Sequence, residues 1–128
     1  MVFDWTGYLT LAKFLHMSAS VSYPEEAAKR AAVSRAYYAA FCYARNYAEH
    51  ALGFIPSHRA RDHGDLIIHY EAAEIIHPAL SGIADALDEL LEWRRTCDYD
   101  DEVVCVTDLD ALVDHALDDA QNIINTLI

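Results

Sequence analysis

Residues 31–47, AAVSRAYYAAFCYARNY, constrain this chain more than any other stretch. Neither glycine nor proline interrupts them, and they read as the middle of one long helix that is apolar almost all the way round. A helix without a polar face belongs at the centre of a bundle, covered by other helices. Yet Arg35 stands in its middle, beside Ser34, Tyr37 and Tyr38. A guanidinium does not shed its proton, so a buried one needs a carboxylate, carbonyl oxygens or an anionic ligand. Two readings follow. Either Arg35 makes a structural ion pair inside the bundle, with Asp98 or an acid on the last helix, or it lines a site that meets phosphate or a partner.

Helical signals continue on both sides. Asp4 reads as the cap of a first helix running to about Ala19, with Phe3 before it as a staple. Trp5, Tyr8, Leu11, Ala12, Leu15 and Met17 form its expected apolar stripe. Ser18 to Ser22 is a short connection. Pro24 suits the first turn of the second helix, and Glu25 and Glu26 suit its positive end. No breaker occurs before Gly53, which fits a left-handed C-cap, with Pro56 beyond it. On this helix Tyr38, Cys42 and Arg45 share a face with Arg35, and Tyr37, Ala40, Ala44 and Tyr47 form the other.

Ser57 to Gly64 is polar and rich in His and Arg, and fits a loop or a frayed helix start. Asp65 to Ile76 reads helical, with Leu66, Ile67, Tyr70, Ala73 and Ile76 inward, and Pro78 breaks or restarts the helix. The next helix is expected from about Ala79 to Cys97, with Leu80, Ile83, Ala84, Leu87, Leu90 and Leu91 as core, and Asp98 to Val106 as a loop. Thr107 with Asp110 resembles a capping box for a last helix, whose stripe runs from Leu109 through Leu112, Val113, Ala116, Leu117, Ala120, Ile123 and Ile124 to Leu127. The expected fold is all-α: a four-to-five-helix up-and-down bundle, one domain over residues 1–128.

Charge narrows the function. Nine Lys and Arg stand against 21 Asp and Glu, a net charge of −12. A protein that holds nucleic acid through phosphates needs a basic surface, so any such role here must be local, transient or shared with a basic partner. An acidic surface equally suits docking to a basic protein, or plain solubility. Charges break the apolar runs before a membrane-spanning length, and MVFDWTGYLT has no basic start or cleavage site, so neither a membrane segment nor a secretory signal is expected. Cys42, Cys97 and Cys105 form no C-x-x-C pair, which suits reduced thiols in the cytoplasm. No metal or cofactor is expected. Glu74 and His77 give the Glu-x-x-His spacing of di-iron bundles once, where that scaffold needs it twice. Asp110, Asp114 and Asp118 read as a solvated acidic face. No glycine-rich phosphate loop, G-x-S-x-G or H-E-x-x-H occurs.

The run SRAYYAAF at 34–41, followed by Ala44 and Arg45, then Asp62-His63-Gly64, then Arg95-Thr-Cys-Asp98-Tyr99-Asp100 before a last helix, resembles a HEPN domain in order and interval from about residue 3 to residue 127. The resemblance implies a dimeric helical domain. In the family's ribonucleases, two copies line one cleft with an Arg and, about four to six residues on, a His. The Arg holds phosphate and the His moves a proton, without metal. Here Arg95, Asp98, Tyr99 and Asp100 match the flanks, but no histidine follows in that interval, and the next is His115. The resemblance therefore implies a cleft of Arg35, Tyr38, Arg95, Asp98 and Tyr99 without a proton shuttle. Such a domain would be a non-catalytic or degenerate module in a homodimer. It would belong to a toxin–antitoxin system, would be paired with a nucleotidyltransferase-type or other basic protein, and would bind that partner, a nucleotide or RNA.

Two other readings stand beside it. One is a ribonuclease with a displaced acid/base. Arg45 and His50 have the right letters, but five residues apart on a continuous helix they point roughly 140° away from each other. Arg59, Arg61 and His63 form a further cluster, in which Arg59 and His63 share a face if the segment is helical, although a capped, solvated helix start explains it as well. The other reading is a bundle with only architectural likeness to the family.

Overall fold

The structure is a computed structural model and describes residues 2–18, 24–103 and 108–128. These form five α-helices and no strand: α1 (Thr6–Met17), α2 (Glu25–Ala51), α3 (Asp62–Ile76), α4 (Ile83–Tyr99) and α5 (Leu109–Leu127), with a 3-10 turn at Pro78–Leu80. The fold is an all-α helical bundle. Among the described residues, no helix is long and apolar enough to cross a membrane.

The 27 residues of α2 span roughly 40 Å and form the axis of the bundle. Helices α1, α4 and α5 pack along it, while α3 packs chiefly on α4. Small residues make this possible. Ala28, Ala32, Ala36, Ala39, Ala40, Ala44 and Ala48 are all buried, so three helices approach the α2 backbone closely. The larger core side chains come from α4 (Leu87, Leu90, Leu91), from α5 (Leu112, Val113, Ile123, Ile124, Leu127), and from Leu66 and Tyr70 of α3. The Tyr70 hydroxyl donates to the Ala44 carbonyl at 2.7 Å, so this buried phenol is satisfied.

The helix ends follow local chemistry. The Asp4 carboxylate accepts from the Thr6 N–H at 3.0 Å and from its hydroxyl at 2.6 Å. Gly53 adopts φ +73°, and the Phe54 N–H behind it returns to the Ala48 carbonyl at 3.0 Å. The buried Asp62 carboxylate, at the start of α3, takes the N–H groups of Ser57 and His58 at 2.9 Å each and the Ser57 hydroxyl. Burial alone would raise the Asp62 pKa, but these bonds outweigh it and hold the carboxyl below the usual range.

Several boundaries and faces differ from expectation. Helix α4 begins at Ile83 instead of Ala79, because the Pro78 turn and Gly82 at φ +89° interrupt the path. It then continues to Tyr99, through residues expected in a loop. Asp108 caps α5, accepting from the Asp110 N–H at 2.9 Å, and Thr107 lies outside the described residues. So do residues 19–23, on which most of the expected first connection and the end of the first helix fall. On α1 the buried residues are Leu9 and Ala12, while Leu11 and Met17 face out. The covered face runs through Trp5, Tyr8, Ala12 and Leu15, and a 100° step per residue takes Leu11 off it. Ile76, expected inward, is exposed.

Candidate functional site

A groove of about 370 Å³ lies where α1 and the middle of α2 meet the start of α3. It is lined by two cations, Arg35 and Arg45, by His63, and by Trp5, Tyr8 and Tyr38, with Phe41 and Cys42 beneath. Arg35 and Arg45 are ten residues apart on α2, about 15 Å along its axis.

Arg35 is not paired with Asp98, which corrects the expected ion pair. Its guanidinium sits over the rings of Tyr8 and Tyr38, 4.9 and 5.2 Å from their centroids. One Nη donates to Ser34 Oγ at 3.4 Å, and that hydroxyl donates to Asp98 Oδ2 at 3.2 Å, so Arg35 reaches Asp98 only through Ser34. Asp98 is engaged instead by Arg94, at 3.6 Å. Arg45 lies over Trp5 at 5.7 Å and donates to Asn46 Oδ1. Among the described residues, neither Arg35 nor Arg45 has a carboxylate within 4.0 Å. Burial pushes the Cys42 thiol pKa up, and the nearby charges of Arg45 and Arg35 pull against it.

A histidine also enters this region, brought by α3 from beyond Gly53. His63 Nδ1 lies 2.5 Å from the Tyr37 hydroxyl, with the ring packed on Phe41 at a centroid distance of 4.4 Å. Burial, then Arg94 and Arg95, lower the His63 pKa below its usual value, while burial raises that of Tyr37. A neutral imidazole beside a firmly protonated phenol is most simply arranged with Tyr37 donating to Nδ1. The proton of His63 then sits on Nε2, which has no hydrogen-bond partner among the described residues.

On α4, Arg94 and not Arg95 turns inward. Arg94 is 8% exposed and stacks over Tyr37, Tyr38 and Tyr99 at 5.5–5.8 Å. Arg95 faces solvent and bonds Glu92 at 2.9 Å. Tyr99, expected in the cleft, is 75% exposed and does not line the groove. Arg94 could have been found in the sequence, since the stripe Leu87, Leu90, Leu91 continues to it. The same spacing places His63 on the face of Leu66 and Tyr70.

The remaining candidates lie elsewhere. Helix α2 is unbroken to Ala51, so Arg45 and His50 diverge to opposite sides of Trp5. Arg59 precedes α3 and does not share a helical face with His63, and Arg61 makes a long, exposed pair with Asp65. Glu74 closes the turn into α4 by accepting from the Gly82 N–H at 3.3 Å. Asp110 and Asp114 pair with Lys29 and His16. Comparison of the chain with protein-family models, with curated proteins and with solved structures finds no match in any of the three.

Proposed function

We propose that the Arg35–Arg45–His63 groove binds a phosphate-bearing ligand, a nucleotide or a short stretch of RNA, and that the chain is a HEPN-like module acting by binding and not by cleavage. One observation carries this reading. In a chain with 21 Asp and Glu, the two arginines of the groove have no carboxylate partner among the described residues and rest on aromatic rings instead. Cation–π contact holds a guanidinium in place while leaving its N–H groups available to a phosphate. Tyr38, Tyr8 and Trp5 beside them supply the faces on which bases stack. A neutral Nε2–H on His63 adds a donor to phosphate oxygen.

The same tautomer argues against His63 as the general base in the resting state. A general base would need its lone pair on Nε2, and therefore Nδ1–H donated to Tyr37. Ribonuclease action through His63 is the second reading, favoured by its placement beside two arginines. His50 has no such placement. From the resemblance follow the other parts of the proposal: a homodimer, and an adjacent nucleotidyltransferase-type or other basic partner that complements the acidic surface in a toxin–antitoxin arrangement.

The test is binding of purified protein to inorganic pyrophosphate, nucleotides and short RNAs by calorimetry, with light scattering for the dimer. Arg35→Ala and Arg45→Ala are expected to remove binding while the fold survives. Binding that ignores both substitutions would sink the proposal. In parallel, RNA is incubated with protein in EDTA. Cleavage lost on His63→Ala would install the second reading in its place.

A further inference from the structure

Trp5 belongs to two hollows at once. On one side is the cationic groove. On the other is a cavity of about 450 Å³ between the N-terminal arm, the second half of α2 and the end of α5. That volume falls within the range of small-molecule sites, roughly 300–1,000 Å³. Phe3, Trp5, Tyr43 and Tyr47 make its walls aromatic, and Asp4 and Asn46 lie on its lining. The two hollows are joined by more than a wall. Arg45 stacks on Trp5 and donates to Asn46 Oδ1, so the cation of the groove fixes the amide of the cavity.

The polar groups are left in a usable state. With its oxygen engaged by Arg45, Asn46 has its amide N–H₂ available as a donor. Asp4 uses Oδ1 for Thr6, and its second oxygen has no hydrogen-bond partner among the described residues. The Thr6 hydroxyl and N–H hold this carboxyl ionised, below its ordinary range. A donor and an anionic acceptor beside aromatic rings complement the edge of a base, which presents an acceptor next to an N–H.

We propose that this cavity takes the purine base of the ligand whose phosphate occupies the groove, with Trp5 and Arg45 at the junction of base and phosphate. The inference rests on the phosphate-binding reading and adds the ligand class. Aromatic rings on several sides favour the larger stacking surface of a purine, and the Asp4 carboxylate favours the bases that carry an amino group beside an acceptor. The purine can come from a free nucleotide or from one position of a strand.

Calorimetry separates the possibilities. Pyrophosphate, GMP, AMP, UMP and CMP are titrated into the wild-type chain, followed by short purine and pyrimidine oligoribonucleotides. Purine nucleotides are expected to bind about tenfold tighter than pyrimidine nucleotides, the size of one aromatic stack. A strand as the natural source shows as a further gain of purine oligomers over purine mononucleotides, and a free nucleotide as none. Ala51→Trp fills the cavity from the exposed end of α2 without touching the groove, and Tyr47→Ala removes one wall. Both are expected to abolish the purine preference while leaving pyrophosphate binding unchanged. If pyrophosphate binds and Arg35→Ala removes it, but purines gain nothing over pyrimidines, the base site fails and the groove stands. If no phosphate compound binds at all, both fail.

Discussion

The two ends of α2 treat their cations in opposite ways. At the N-terminal end every cation is answered. Lys29 bonds Glu25 and Asp110 at 2.6 and 2.8 Å, tying α2 to α5, and these two bonds push its pKa up to about 12. Arg30 reaches the carbonyls of Cys97, Asp100 and Asp101 and closes the C-terminus of α4, where the helix dipole favours positive charge. Further along, Arg35 and Arg45 meet aromatic faces and side-chain oxygens of their neighbours, but no acid. The first pair of cations holds helices together. The second pair leaves guanidinium N–H groups uncommitted in a groove, which is what a ligand-binding cation requires and a structural one does not.

That contrast can be broken most directly by removing the second pair. The double variant Arg35→Ala/Arg45→Ala is expected to lose on the order of 100-fold or more in affinity for pyrophosphate and nucleotides, from two charge-assisted contacts of roughly 1.5–3 kcal/mol each. Its stability should fall by no more than about 1–3 kcal/mol, because three partly exposed cation–π contacts and the hydrogen bonds to Ser34 and Asn46 are lost while no buried ion pair is broken. Urea denaturation beside calorimetry reads both quantities. A variant that unfolds but still binds would reverse the assignment.

Arg30→Ala is the mirror experiment. It should cost about 2 kcal/mol of stability, since charge-assisted bonds to helix-end carbonyls are lost, with ligand affinity unchanged.

The groove histidine supplies a smaller, pH-dependent signal. The pKa of His63 is lowered in the fold, so the unfolded chain takes up its proton first as pH falls. Its contribution is complete above the ordinary value of 6.5 and is lost as pH falls through the folded value. Asp119 works in the opposite sense. Burial first, and then the neighbouring Glu89, raise its pKa to about 6, so its contribution is complete below 3.8 and is lost as pH rises through about 6. The two slopes are opposite in sign. The difference in urea midpoint between wild type and His63→Gln isolates the histidine: that difference should shrink as pH drops, and Asp119→Asn should leave its trend intact. A constant difference would remove the lowered histidine pKa from the account.

The smallest effect is expected at Arg95. Its exposed pair with Glu92 is worth well under about 1 kcal/mol, so Arg95→Ala should barely move stability, while Arg94→Ala, which strips a buried stack from Tyr37 and Tyr38, should be distinctly worse. Equal effects at both positions would undo the inward assignment of Arg94.

Much of the fold was legible in the sequence because it is written locally. The left-handed Gly53, the buried Leu87, Leu90 and Leu91, and the α5 stripe follow from spacing and from residues within a turn of each other. The site was legible only in pieces. Arg35, Tyr38 and Arg45 were placed on one face of α2 by their spacing alone, and the structure lines one groove with them. That Asp98 goes to Arg94 and not to Arg35 was not legible, because Asp98 sits 63 residues from Arg35 and its pairing depends on the rotation of α4. Arg94 and Arg95 are neighbours in the sequence, yet one step of about 100° sends one into the core and the other into water.

The sequence alone determined that the protein is an all-α bundle built around α2. Covering a helix that is apolar on every side is the dominant free-energy term, and any arrangement that left it exposed would be far less stable. Only the tertiary structure decided which cations are spent on the scaffold and which stay uncommitted. It also decided that His63, from another helix, enters the groove beside Tyr37 and Phe41. Those outcomes depend on the rotation and approach of packed helices, and no local spacing encodes them.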